Sequence, residues 1–290
     1  MEYGSNPDTP GLPAPKPESR VGAGVLLVAV LLGVVIYALV VKRDALSLLI
    51  GLTQRADTRI TLEARTSELP RGETWDASKE QATVNVLTKR LRDIGIPAKV
   101  TSSGRTFVVE APLAQDRSTT LKYLTELGRL EFRYFKDVKS KRHPTAPYTM
   151  DVEVRDDGSE KYTFKDEKGK DVPVAKVIAA SPIVLTGDDL KPNAQAEQNS
   201  QNYQVYVAIE FSEKGRKVFA DFTRTHVGDY LAIMLDGRII SAPTIDDAIL
   251  DGKAIIRGGF KDTEEAKTLA DLLRAGTLPV PLDVVKVEKI

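Results

Sequence analysis

Apolar positions along this chain follow three regimes: one unbroken run, then segments of period two, then segments of helical period. Residues 21–41 contain no charged side chain over 21 positions. As a helix that run spans about 31 Å, the thickness of a bilayer core, and it predicts a single transmembrane helix. It exceeds a signal-peptide core and is followed by Lys42, Arg43 and Asp44 rather than by a small-residue cleavage site. Residues 1–20 carry five prolines and few large apolar side chains, the pattern of a disordered tail.

Beyond the span, residues 59–64 alternate as a half-buried strand. A helix follows, with Ser78 and Gln81 as a capping box, Val84, Leu87, Leu91 and Ile94 on one face, and Gly95 and Pro97 at its end. Residues 98–112 read as a hairpin turning at Ser103-Gly104. A second helix over 118–127 aligns Leu121, Leu124 and Leu127 and stops at Gly128, before a strand at 130–135. Residues 148–177 predict an exposed meander of short strands, the least buried part, broken at Asp157-Gly158 and Lys168-Gly169. Thr186 with Asp189 marks a capped turn, and 195–202 reads as a polar loop. The last third predicts a strand at 205–211, a helix capped by Ser212 that carries Val218, Phe219 and Phe222, and a hairpin on Asp236-Gly237. A strand at 254–258, a helix opened by Asp262 and Glu265 and ended by Gly276 and Pro279, and a strand at 282–290 complete it.

With 42% hydrophobic and 28% charged residues in 290 positions, the chain can bury a real core. Basic and acidic residues number 41 each, without long blocks of one sign, which argues against nucleic acid as a partner. The absence of cysteine excludes disulfides and thiol chemistry. His143 and His226 each lack a second histidine at metal-ligand spacing. His143 reads as a solvated turn residue and His226 as a structural group at a helix C-terminus. The pairs Asp188-Asp189 and Asp246-Asp247 cannot face one another as an acid and a base when adjacent in sequence. A capped turn explains the first pair and a surface turn the second. Gly258-Gly259 is not a phosphate loop, and Ser241 is not in a G-x-S-x-G elbow. No catalytic residue, cofactor or metal is therefore predicted. Two surfaces could hold a polypeptide: a groove lined by Phe211, Phe219, Phe222 and Phe260, whose spacing favours core packing instead, and a free sheet edge within 148–177.

Three strings, LTGDDL at 185–190, LAIMLDGRIISAP at 231–243 and LRAGTLPVPLDVV at 273–285, resemble the SecD family of protein-export membrane proteins. VLTKRLRDIGI at 86–96 and TELGRLEFR at 125–133 fit the same pattern, so the resemblance covers roughly residues 51–290. It implies the first periplasmic domain with its membrane anchor only. The fold expected is α+β: a ferredoxin-like base from 51–112 and 278–290, with an inserted α+β head at 113–277. The junction would lie at Pro112, Gly276 and Pro279, and no polypeptide-binding residues can be assigned from the sequence.

The resemblance implies a non-enzymatic accessory of export that contacts unfolded exported polypeptides, with the translocon, SecF-like subunits and the lipid bilayer as partners. Residues 45–290 would lie outside the cytoplasm of a single-pass inner-membrane protein. The charges flanking the span (Lys16 and Arg20 before it; Lys42, Arg43 and Arg55 after it) do not choose an orientation by themselves. The family's first loop resembles G-L-D-L-x-G-G, whereas residues 51–57 keep only its first two letters. Ending at Ile290 with an uncharged span, this chain is expected to act through binding, without a proton path of its own. Those departures keep open the alternative of an extracytoplasmic binding or scaffold protein no longer coupled to the translocon.

Overall fold

The structure, a computed structural model, describes residues 55–113, 117–156, 158–201, 204–258, 260 and 262–290. They fall in one compact unit, Gln54–Ile290. The tail, the apolar run at 21–41 and most of the first loop lie outside the described residues.

Strand β1 (Thr58–Ala64) leads through a 3-10 turn to α1 (Ala77–Asp93) and the hairpin of β2 (Lys99–Ser103) and β3 (Thr106–Ala111). Helix α2 (Arg117–Thr125) and β4 (Leu130–Tyr134) follow, then β5 (Tyr148–Val154), β6 (Glu160–Asp166), β7 (Asp171–Val172), α3 (Val174–Ala180) and β8 (Ile183–Thr186). The remainder comprises β9 (Gln195–Gln198), β10 (Val205–Glu210), α4 (Glu213–Thr225), β11 (Leu231–Leu235), β12 (Arg238–Ser241), β13 (Lys253–Arg257), α5 (Thr263–Ala275) and β14 (Leu282–Lys289). The class is mixed α and β.

Four sheets result, ordered β14-β1-β3-β2, β12-β11-β4-β8, β13-β10-β9 and β5-β6-β7. In the first, alternation along β1 turns Ile60, Leu62 and Ala64 inward, where α1 lays Val86, Leu87 and Leu91 against Phe107 and Val109. Leu124 of α2, with Leu278 and Val280 before β14, joins that core. A second core gathers Leu130 and Phe132 of β4, Val207 and Ile209 of β10, Phe211, Phe219, and Leu269 of α5. A third surrounds Phe135, Phe164, Val177 and Met234.

Local chemistry departs from the sequence expectation in four places. Helix α1 is capped by Asp76, whose carboxylate accepts the Lys79 N–H at 2.9 Å, and Ser78 falls inside the first turn. A carboxylate meets both the free N–H groups and the positive end of the helix, so it outcompetes a hydroxyl two residues later. Residues 174–180 are helical rather than part of the meander, because Val174, Val177 and Ile178 recur at helical spacing after Pro173 and seat against the third core. Residues 195–198 form strand β9 rather than a loop: main-chain pairing to β10 is indifferent to side-chain polarity, and Ala196 rests on the second core. The meander is also less exposed than expected, since β6 buries Tyr162 and Phe164 while β5 stays on the surface. The other caps stand where the sequence puts them, at Ser212, at Asp262 and in the Thr186/Asp189 capping box.

Candidate functional site

Alternation along β13 and β10 sends Val207, Ile209 and Ile256 to the core and leaves Tyr206, Ile255 and Arg257 on the opposite face. That face, the β5–β6 hairpin and the end of β12 enclose a cleft of about 980 Å³. Val152, Val205, Ile255 and Phe260 supply apolar lining, and Glu160, Tyr162, Tyr206, Ser241, Arg257 and Asp262 supply polar groups. Val152 and Ile255 are 47% and 37% exposed, which leaves them available to a bound chain. In the sheet order β5 has β6 on one side; on the other its first residue, Tyr148, bonds to the main chain of Asp137 and Lys139, and Val154 near its far end is 68% exposed. Such an edge carries main-chain groups able to pair with an added strand.

The polar wall is ordered by a relay. Tyr162 donates its hydroxyl hydrogen to the Glu160 carboxylate and accepts the Ala242 N–H at 3.2 Å. Burial pushes the Tyr162 hydroxyl well above its ordinary pKa, and the bond to Glu160 raises it further, so it stays protonated and able to donate. Gly258 makes room for this arrangement: a Cβ there would stand 2.5 Å from Glu160 Oε1. Its φ of +86° also suits glycine.

Of the four phenylalanines considered from the sequence, Phe211 and Phe219 are buried, with ring centroids 4.5 Å apart. Phe222 packs partly against the same core and stacks on His226, and Phe260 alone of the four lines the cleft. His226 is the C-cap residue of α4, its Nδ1 2.9 Å from the Phe222 carbonyl. His143 is not simply a solvated turn residue. Its Nδ1 lies 2.7 Å from the carboxylate of buried Asp229, which also accepts from Ser140 Oγ at 2.6 Å and Tyr134 at 3.2 Å. Burial alone would raise the Asp229 pKa; the bonds from Ser140 and His143, with the His143 charge, outweigh it and hold the carboxyl below its ordinary value. Asp189 accepts the Thr186 N–H at 3.0 Å, and Asp246 and Asp247 are exposed. Among the described residues no three histidine, aspartate or glutamate side chains converge as metal ligands.

The expected junction residues do not gather at one end of the first sheet: Ala111, before Pro112, pairs with Thr58, whereas Leu282, after Pro279, pairs with Ala64 at the other end of β1. Pro112 follows β3, Gly276 ends α5 with φ +96°, and Pro279 precedes β14. Beside Gly276 lies a buried arginine that the sequence did not flag. Arg90 of α1 is fully buried; its Nη1 donates to the carbonyls of Tyr123 at 2.8 Å and Glu126 at 2.5 Å, and its Nη2 to those of Leu127 at 3.2 Å and Gly276 at 3.5 Å. Desolvation pushes its pKa down to about 10, so it stays charged at neutral pH. Gly128 passes so close that a Cβ would lie 3.1 Å from Arg90 Nη2.

The family model for the SecDF P1 head subdomain matches residues 159–280. A solved SecDF chain, described as a membrane component that enhances protein export, aligns at 29% identity with a TM-score of 0.60. The alignment covers 80% of this chain and 100% of that one. This chain carries a SecD-family P1 region. The SecD subunit of Acidaminococcus fermentans is 31% identical over 264 residues, covering 90% of this chain and 51% of that protein. The SecDF protein of Thermus thermophilus is 34% identical over 245 residues, covering 83% of this chain and 31% of that protein. The chain thus spans about half the length, or less, of these curated relatives. Within the P1 region, the head match takes in Glu160, Tyr162, Ser241, Ile255, Arg257 and Phe260, so all but the β5 wall and hairpin tip of the cleft belong to it. No helix among the described residues of the P1 region is long and apolar enough to cross a membrane.

Sequence reasoning missed the cleft because its walls come from four separate segments. A partial signal existed: Glu160 and Tyr162 stand two apart on one strand and therefore share a face.

Proposed function

We propose that this chain is a membrane-anchored, non-enzymatic accessory of protein export, and that its cleft holds unfolded segments of translocating polypeptides outside the cytoplasm. The observation that carries the reading is the similarity to SecD and SecDF along 80–90% of the chain, together with a solved relative described as enhancing protein export. The cleft supplies a physical means: an exposed strand edge offers main-chain pairing, and Val152, Ile255 and Phe260 offer general apolar contact. Both give modest affinity with little side-chain information, as an export accessory meeting many sequences requires.

The same reading takes residues 51–112 and 278–290 as a ferredoxin-like base and 113–277 as a head, with Pro112, Gly276 and Pro279 at the junction. The strand order β14-β1-β3-β2 supports it. Residues 21–41 would be the single anchor in the lipid bilayer of the inner membrane, with residues 45–290 extracytoplasmic, and the translocon and SecF-like subunits would be neighbours.

The full chain in lipid nanodiscs is expected to bind a chemically unfolded exported protein with a dissociation constant in roughly the micromolar range, about 8 kcal/mol. It should leave the same protein unbound once folded, as fluorescence anisotropy will report. Equal binding of both forms, or tight binding to one folded partner, would replace this reading with that of a scaffold.

A further inference from the structure

The two ends of β5 fix which way each of its main-chain groups points. At the start, the Tyr148 N–H donates to the Asp137 carbonyl at 3.0 Å and the Tyr148 carbonyl accepts the Lys139 N–H at 2.6 Å, both on the side away from β6. Just past the other end, the Arg155 N–H donates to the Ser159 carbonyl across the hairpin, on the β6 side. Successive residues of a strand turn their N–H and C=O groups to opposite sides. Thr149, Asp151 and Glu153 therefore bond to β6, where they stand opposite Lys165, Thr163 and Lys161. Met150, Val152 and Val154 point theirs at the free edge, where they meet no main-chain partner among the described residues.

The fold itself already lays an extended segment on this edge. Val138 and Tyr148 form a parallel bridge, after which Ser140 enters a turn, its N–H bonded to the His143 carbonyl, and the edge beyond stays open. The two faces of β5 differ as well. Asp151 and Glu153 pair with Lys165 and Lys161 on one face, while Val152 and Val154 stand exposed on the other, the cleft face that they share with Tyr162 and Glu160.

We infer that a segment of unfolded polypeptide binds as a strand added to β5, continuing the line of residues 137–139 and pairing with the main chain of Met150, Val152 and Val154. The inference rests on the reading of the cleft as a polypeptide site, and it names the class of sequence that site takes. About five residues match the open edge, apolar at every second position toward Val152 and Val154 and polar at the others, beside Asp151 and Glu153.

The test uses the full chain in nanodiscs and a fluorescent octapeptide of alternating valine and threonine with a lysine at each end, either unmodified, N-methylated at every valine or N-methylated at every threonine. Residues of one parity alone turn their N–H groups to β5, so one methylated form should bind at least about tenfold more weakly and the other like the unmodified peptide. Loss with the valine form identifies an antiparallel strand, whose valines stand opposite Val152; loss with the threonine form identifies a parallel one. On the protein side, Val152→Pro removes one edge donor and leaves the bonds to β6 in place. It should bind the unmodified peptide about three- to tenfold more weakly than Val152→Ala, which keeps the N–H. Equal sensitivity to both methylations or to neither, or equal binding by the two variants, overturns the inference alone, and weaker binding by Ile255→Ala then still fixes the peptide to the cleft. Dimers of the free chain that Val152→Pro separates, followed by sedimentation in detergent, would give the edge to a second copy and overturn the inference too. Absence of binding by the parent chain removes the reading of the cleft and the inference with it.

Discussion

Replacing Arg90 with methionine is expected to lower folding free energy by about 3 kcal/mol or more, because each buried carbonyl left unpaired costs about 1–3 kcal/mol. Methionine nearly fills the space of the arginine stem but donates nothing. The carbonyls of Tyr123 and Leu124 belong to the last turn of α2, where no intrahelical N–H remains to meet them. Those of Leu127 and Gly276 sit on the segments that lead from α2 into β4 and from α5 into β14. One guanidinium therefore holds both segments, and its positive charge lies at the negative end of α2. Arg90→Lys should recover only part of the loss, since an ammonium cannot reproduce the planar fork. Urea unfolding followed by circular dichroism measures the difference. A loss below about 1 kcal/mol, the net worth of a single ordinary hydrogen bond, would show that the carbonyls find other partners.

Phe132→Ala is expected to cost about 3–5 kcal/mol, the range for deleting a fully buried aromatic side chain. Phe132 is almost completely buried on β4, its ring centroid 5.3 Å from Phe211 and 6.4 Å from Phe219. The variant also tests the proposed base and head. The only tryptophan, Trp75, packs edge-on against Phe107 at 6.2 Å, within the core of the first sheet. If base and head are separable, Phe132→Ala should shift the unfolding midpoint seen by circular dichroism and leave that of Trp75 fluorescence in place. Phe107→Ala should do the reverse. A common shift of both probes in both variants means that the two cores melt as one.

Much of this fold was legible because its elements are locally consistent. The β1 alternation, the Asp236-Gly237 hairpin and the caps at Ser212 and Asp262 are each decided by a few neighbouring residues. The misread segments are those where distant partners decide: β9 is a strand only because β10 lies beside it, and α3 is a helix that packs on Phe164. All five family-like strings also meet in space, the one at 185–190 through Leu185 and Thr186, which pair with Phe132 and Glu131 of β4. Arg90, Gly128 and Gly276 come from three of them, and Asp236 of a fourth accepts the N–H groups of Gly128 and Arg129 at 3.3 and 2.8 Å. No local pattern announces that convergence, since an arginine on a predicted helix ordinarily reads as a solvated residue.

The most direct measurement is site-specific photocrosslinking in cells exporting a stalled secretory protein, with p-benzoylphenylalanine placed singly at Val152, Ile255 or Val285. Val152 and Ile255 line the cleft, whereas Val285 is 58% exposed on β14 of the first sheet and serves as the comparison. Adducts with the exporting chain from Val152 and Ile255, weak or absent from Val285, are the predicted result. No adduct from either cleft position, with the probe-bearing chains folded and in the membrane, would contradict the assignment of the cleft to translocating polypeptide, as would equal labelling from Val285.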